Sequence, residues 1–173
     1  MALTTIRDSG LASGVREWTA LTAVTTNGAS SYTVSGIPSG VTEVLIIGCG
    51  VHRNTGTNRA TIQLGDSGGL ETTGYTHTVS YTQGGNYYIN TNQSIAGAQT
   101  MFYNAEYNFR CHCFNTTGNE WNMDVKTMSE GGSSYEMVQS MVRKSLSAEL
   151  DRVALVDLNG TNFDGGTLRV YYR

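Results

Sequence analysis

Apolar and polar residues alternate along much of the chain in short runs that end at turn-forming residues. YNFRCHCF (107–114) and WNMDVKTM (121–128) alternate with a period of two, which is typical of strands with one buried face. TTGN (116–119) lies between them and predicts a hairpin turn. VTEVLIIGCGV (41–51) is almost continuously apolar, so we expect a strand that is buried on both faces.

The same pattern predicts further short strands elsewhere in the chain. They are WTALTAV (18–24), SSYTVSG (30–36), ATIQLG (60–65), YEMVQSMV (135–142), DRVALVDL (151–158) and TLRVYYR (167–173). SLSAEL (145–150) is long enough for one helical turn at most. About ten short strands separated by turns predict an all-β antiparallel β-sandwich, jelly-roll-like, over residues 18–173.

Residues 1–17 differ from the rest of the chain. Their apolar residues are widely spaced, and Gly10 and Gly14 disfavour a helix. Such a segment cannot bury its apolar side chains by itself, so we expect it to lie along the rest of its own chain or along a partner. We therefore predict an N-terminal docking arm over residues 1–17, with the docking contacts made by Leu3, Ile6, Leu11, Val15 and the adjoining Trp18.

Composition and charge exclude several classes of function. Only 14% of the residues are charged, against about 25% in ordinary globular proteins, and uncharged polar residues take their place. A net charge of −3 and an isoelectric point near 5.5 give no electrostatic basis for binding nucleic acid. No apolar run approaches the roughly 20 residues of a membrane helix, and MALTTIRDSG lacks the features of a secretory signal. Three cysteines cannot pair completely within one chain, which favours free thiols in a reducing cytoplasm.

The stretch QLGDSGGLETTGY (63–75) contains GDSGG, the letters that surround the nucleophile of trypsin-like proteases. A serine nucleophile needs a histidine base, a carboxylate that orients the base, and an oxyanion hole. Only 66 residues precede Ser67, and His52 stands in an unrelated context. We therefore expect a glycine-rich turn in which Asp66 caps the backbone and Gly68 and Gly69 adopt positive φ.

Other residues with potential chemistry are weak candidates. Cys111 and Cys113 point one way on a strand and His112 the other, and no second ligand pair completes a zinc site, so no metal or cofactor is expected. His52 and His77 stand in or beside turns and are expected to be solvated or to form polar surface contacts. Two acids could meet across the sheet as a glycosidase pair, and the possible members are Glu106, Glu120, Asp124, Glu130 and Glu136. Aromatic residues suggest sugar or receptor binding as an alternative. Adjacent residues of a strand face opposite ways, so only one residue of Tyr87-Tyr88, and one of Tyr171-Tyr172, can face a given surface.

Two stretches together resemble a domain of tailed-bacteriophage proteins, found in tail-fibre and tailspike C-terminal regions and in small virion proteins. They are GIPSGVTEVLIIGCGV…IQLGDSGGLETTGY (36–75) and KSLSAELDRVALVDLNGTNFDGGTLRVYYR (144–173). The resemblance carries over no active-site residue. It implies structural roles for Gly65, Asp66, Gly68, Gly69, Glu71, Thr72, Gly74, Tyr75, Asp151, Arg152, Asn159, Asp164 and Gly166.

The resemblance implies a non-enzymatic β-sandwich on a virion surface, assembled in the host cytoplasm and commonly a homotrimer. A single sandwich with a short arm suits a capsid decoration (cement) or head-fibre protein whose arm docks on the major capsid protein. The alternative is a tail-fibre or receptor-binding protein that contacts tail proteins and a host glycan or receptor. An enzyme on the same sandwich would need converging acids. No nucleic acid partner and no membrane insertion are expected.

Overall fold

A computed structural model describes residues 17–53, 59–83, 86–91, 96–101, 106–130 and 137–173. Within these residues the chain forms fourteen strands and no helix. The strands are β1 (Thr19–Ala20), β2 (Val24–Asn27), β3 (Ser31–Ser35), β4 (Glu43–His52), β5 (Ala60–Asp66), β6 (Gly69–Leu70), β7 (Tyr75–Gln83), β8 (Asn86–Thr91), β9 (Ala98–Met101), β10 (Glu106–Thr117), β11 (Glu120–Glu130), β12 (Met137–Ser145), β13 (Arg152–Asp157) and β14 (Asp164–Tyr172).

The strands form two antiparallel sheets that pack face to face as a β-sandwich, which confirms the predicted fold class. The large sheet has the order β1-β14-β4-β10-β11-β12-β7-β8, and β2 also pairs with β14. The small sheet has the order β3-β13-β5-β6, and β9 also pairs with β5. The core lies between the sheets and includes Val44, Ile46, Cys111, Met123, Val125, Ile62, Leu64, Val153 and Leu155.

The predicted β10–β11 hairpin is confirmed, and its turn explains the TTGN sequence. Gly118 has φ 53°, a left-handed conformation that glycine adopts without strain. Asn115 donates a side-chain hydrogen bond to the Gly118 carbonyl at 2.7 Å. On the β10 strand, Cys111 and Cys113 face the core and His112 faces outward, as the alternation predicts.

Three expectations about local structure are wrong. The run 18–24 is not one strand, because β1 ends at Ala20 and β2 begins at Val24. Strand β4 is buried on one face only, since Leu45 and Ile47 are half-exposed on the other. The last predicted strand, 167–173, begins earlier, at Asp164, and its register shifts between Asp164 and Thr167, which indicates a bulge.

The predicted arm lies almost entirely outside the described residues. Leu3, Ile6, Leu11 and Val15 belong to that part of the chain, so their docking role stays a prediction. Trp18 is described and 37% exposed. Its ring lies edge-on to His112 at 6.2 Å between centroids, and the Arg173 guanidinium lies 4.6 Å from its centroid. Because His112 faces outward from β10, Trp18 lies against the outer face of the large sheet.

Candidate interaction surface

The two stretches that carry the phage resemblance contact each other directly. The Asp66 carboxylate accepts a hydrogen bond from the Gly68 amide at 2.8 Å and another from the Ser147 hydroxyl at 2.6 Å. These hydrogen bonds lower the pKa of Asp66, and the bond from Ser147 has the larger effect. The Glu71 carboxylate accepts a hydrogen bond from the Ser147 amide at 2.6 Å. The GDSGG turn and the adjoining Glu71 are therefore hydrogen-bonded to the segment that follows β12.

Lys144, the penultimate residue of strand β12, extends this contact toward the core. It is only 4% exposed, and its ammonium group pairs with Glu71 and donates to the Ser145 carbonyl at 2.7 Å. Burial tends to raise the pKa of Glu71, but Lys144 and Ser147 outweigh it and the pKa is lowered. The Lys144 ammonium also lies 5.4 Å from the centroid of the Tyr75 ring, a cation–π contact.

The predicted turn at Ser67 is confirmed with one correction. Ser67 is exposed in the turn between β5 and β6, and Asp66 caps the backbone as expected. Only Gly69 of the two glycines has a positive φ, of 131°. Tyr75, the last letter of the motif, donates and accepts at the backbone of Leu64, where its hydroxyl lies 2.8 Å from the amide nitrogen. Desolvation of this buried phenol raises its pKa above the usual range.

The three histidines lie in different places, and His77 contradicts the sequence-based expectation. His77 is buried in β7, and neither ring nitrogen has a hydrogen-bond partner among the described residues. Desolvation, with a smaller contribution from Arg59, lowers its pKa. His52 lies 2.6 Å from Asp164, and His112 lies 2.9 Å from Glu43, which also binds Arg173.

Two of the five candidate acids lie beside cationic side chains, and the cysteines form no disulfide. Cys49, Cys111 and Cys113 are free thiols, and burial together with Cys113 raises the pKa of Cys111. No group of three metal-binding side chains occurs in the described part of the chain. Glu120 pairs with Arg143, and Asp124 lies 3.9 Å from Lys126. The strand register places position 106 opposite position 130, while Glu136 lies outside the described residues.

Large apolar side chains are exposed on the outer face of the large sheet. Strand register places them on one face, because Met128 is opposite Met137, Met137 is opposite Thr82, and Thr82 is opposite Tyr87. Ile89 and Met141 belong to the same face, since they lie opposite Ser80 and Thr78. The exposed fractions are 64% for Tyr87, 57% for Ile89, 50% for Met128, 63% for Met137 and 54% for Met141. Contiguous exposed apolar residues are typical of a surface that contacts another molecule.

A groove of about 520 Å³ runs across this outer face. Met128, Met137, Ile47 and Tyr87 contribute apolar surface to it, and its polar and charged lining includes Asn108, Gln139, Arg110 and Lys126. Arg110 is exposed and forms no ion pair in the described part of the chain. This size lies within the range of ligand-binding pockets, which is roughly 300–1,000 Å³.

No clear signal in the amino-acid sequence marks this surface. YEMVQSMV places Val138, Ser140 and Val142 on one face of β12 and Met137 and Met141 on the other. Both faces are partly apolar, so periodicity alone could not tell which one faces water. Strands β7 and β8 are not predicted, because each contains only one aliphatic residue and the asparagines of β8 also suit turns.

Comparison with protein families, curated proteins and solved structures finds no match to this chain. The described residues include no helix that is long and apolar enough to cross a membrane.

Proposed function

We propose that the protein is a non-enzymatic structural protein of a bacteriophage virion, a capsid decoration (cement) or head-fibre protein that docks on the shell through its N-terminal arm. The observation that carries this proposal is the position of Trp18. The Trp18 ring is held against the outer face of the large sheet by Arg173 and His112. The predicted arm therefore joins the sandwich at the face that exposes its methionines and Tyr87.

The contacts of the two resembling stretches support the same proposal. Ser147 binds both Asp66 and Glu71, Lys144 pairs with Glu71, and Tyr75 binds the backbone of β5. Each of these residues thus stabilises the sandwich. This agrees with the structural roles that the phage resemblance implies for Asp66, Glu71 and Tyr75.

In this proposal the arm provides a weak apolar contact with the major capsid protein. Several arms in one oligomer would bind together and multiply the affinity, because the second contact is intramolecular once the first has formed. The protein would assemble onto particles in the host cytoplasm and remain on the virion surface. The homotrimer that the resemblance implies remains an expectation.

The groove supports a second candidate function, that of a tail-fibre or receptor-binding protein. Tyr87 offers an exposed ring, while Asn108 and Gln139 offer amide groups beside the cationic Arg110. Aromatic rings with adjacent amides suit contact with a host glycan.

Rebinding to phage particles that lack this protein separates the two functions. We expect the full chain to bind the heads of such particles, and a chain that begins at residue 18 to fold normally and fail to bind. Equal binding by both chains would refute the docking role of the arm. Absence of binding to heads, together with binding of the full chain to host cells, would contradict the decoration role and support the receptor-binding alternative.

A further inference from the structure

Among the described residues, strand β8 forms one edge of the large sheet and lacks the charges, bulges and prolines that usually protect an edge strand. Its sequence is NYYINT, and that of its neighbour β7 is YTHTVSYTQ, so neither strand contains Lys, Arg, Asp or Glu. On its outer side β8 has no neighbouring strand among the described residues. Natural edge strands are usually blocked by charges, bulges or proline, because an open edge offers unpaired backbone groups to another strand.

The β8 strand is also held in place by side-chain packing. Tyr88 lies opposite Tyr81 of β7, and the two rings stack with centroids 4.9 Å apart and planes 17° from parallel. Tyr87 and Ile89 point to the opposite face and are exposed. Pairing with β7 and the Tyr81–Tyr88 stack therefore order the strand, while its outer edge has no partner strand among the described residues. A strand that is already ordered lowers the entropy cost of adding a further strand.

We propose that β8 pairs antiparallel with β8 of a second copy of this chain and joins the two large sheets edge to edge. A two-fold axis perpendicular to the sheet keeps both outer faces on one side. In a register centred on Tyr88, each Tyr87 lies opposite Ile89 of the second copy, and Tyr88 lies opposite its equivalent. Aromatic residues paired with β-branched or aromatic residues stabilise adjacent strands.

The edge carries no charge that would oppose pairing with a second copy. Self-pairing places identical residues near one another, so a charged edge would repel itself, whereas β7 and β8 contribute no such repulsion. The pairing also makes one apolar surface of the two outer faces, because Tyr87 adjoins the groove lined by Met128 and Met137.

A pairing of this kind is isologous and closes at two copies. It therefore predicts a dimer, in contrast to the homotrimer that the phage resemblance implies. The inference concerns the isolated chain and does not depend on the virion role. The two failures are distinguishable, because a monomer could still bind heads through its single arm, though more weakly, and a dimer could form without binding heads.

The first test is the mass of the full chain in solution, measured by sedimentation at concentrations reaching about 100 μM. We expect a dimer for the wild type and a monomer for Ile89→Lys, because two lysines would then lie near the shared strand pair. Thr25→Lys, an exposed change on β2 at the other edge of the large sheet, is the matched control and should remain a dimer. A monomeric or trimeric wild type, or a dimeric Ile89→Lys variant, would overturn the proposal.

The second test does not depend on loss of a contact. In a Cys49→Ser background, which removes the exposed native thiol, Tyr88→Cys should form an intermolecular disulfide under mild oxidation. Directly opposite residues of paired strands lie at a distance that a disulfide can span. Thr25→Cys in the same background should stay unlinked. Absence of a cross-link at position 88 in a folded protein would refute the pairing.

Discussion

The Ser147 hydroxyl donates a hydrogen bond of 2.6 Å to the Asp66 carboxylate, which lies 81 positions earlier in the chain. This contact joins the GDSGG turn to the segment after β12 and gives Asp66 a structural role. Ser67, the residue at the position of a protease nucleophile, is exposed beside this contact.

Replacement of the two serines should therefore have different effects. Ser147→Ala removes the hydrogen bond to Asp66, and we expect the midpoint of thermal unfolding to fall by about 3 °C. Ser67→Ala should leave the midpoint unchanged, because the Ser67 side chain is exposed. Thermal unfolding followed by circular dichroism measures both. An equal loss in the two variants would contradict the structural role of the Asp66–Ser147 contact.

Tyr75→Phe tests the hydrogen bond between the motif and strand β5. The variant keeps the ring in the core but leaves the buried amide of Leu64 without the Tyr75 hydroxyl at 2.8 Å. We expect a loss of about 1–2 kcal/mol in the free energy of unfolding, measured with denaturant. Tyr171→Phe removes a hydroxyl from a half-buried tyrosine of β14 and is the matched control. Equal stability of Tyr75→Phe and the wild type would show that this bond contributes nothing.

Gly48 lies opposite Phe109 in the β4–β10 pair, and the Phe109 ring covers it. A Cβ atom at position 48 would lie 2.1 Å from the ring, so Gly48→Ala forces the ring or the backbone to move. We expect a loss of about 2–3 kcal/mol in the free energy of unfolding.

The control for this prediction is the same change in a Phe109→Val background, where the ring is absent. The cost of Gly48→Ala should then be much smaller, and the two changes should be non-additive in a double-mutant cycle. Additive costs would show that the ring is not the obstacle.

The burial of His77 predicts a dependence of stability on pH. Its pKa lies below the ordinary value of 6.5 because burial disfavours the charged ring. As the pH falls below about 6.5, the unfolded chain binds a proton that the folded chain does not, so the free energy of unfolding should decrease. Above that pH the effect vanishes.

His77→Gln removes this titration, so its stability should change less than that of the wild type between about pH 6.5 and pH 5. The acids Asp66 and Glu71 also have lowered pKa values, but they affect stability only at lower pH, near and below their ordinary values of 3.8 and 4.5. Denaturant unfolding across this pH range separates the two effects. Identical pH profiles for the variant and the wild type would contradict a buried, neutral His77.

The sequence predicts the long alternating strands well, and it predicts the edge of the sheet poorly. In β10 and β11 a single buried face alternates with polar residues, so the pattern and the hairpin turn agree. In β8 the adjacent Tyr87 and Tyr88 divide between two faces, and no apolar period marks the strand. The outward position of Met137 and Met141 depends on which sheet face meets the small sheet, a tertiary relationship that local pattern does not contain.

The contact between the GDSGG turn and the segment after β12 depends on tertiary structure in the same way. The sequence identifies GDSGG and the segment 144–151 separately, but the bonds from Asp66 and Glu71 to Ser147 exist only because β5 and β12 belong to facing sheets. The burial of His77 likewise follows from its place on the inner face of β7. Its position near threonines in sequence therefore suggested a solvated residue wrongly.

The copy number of this protein on purified phage particles tests its proposed decoration of the head most directly. Quantitative mass spectrometry against the major capsid protein should find many copies in each particle, and labelled antibody should bind the head. A handful of copies at the tail, or none in the particle, would contradict it.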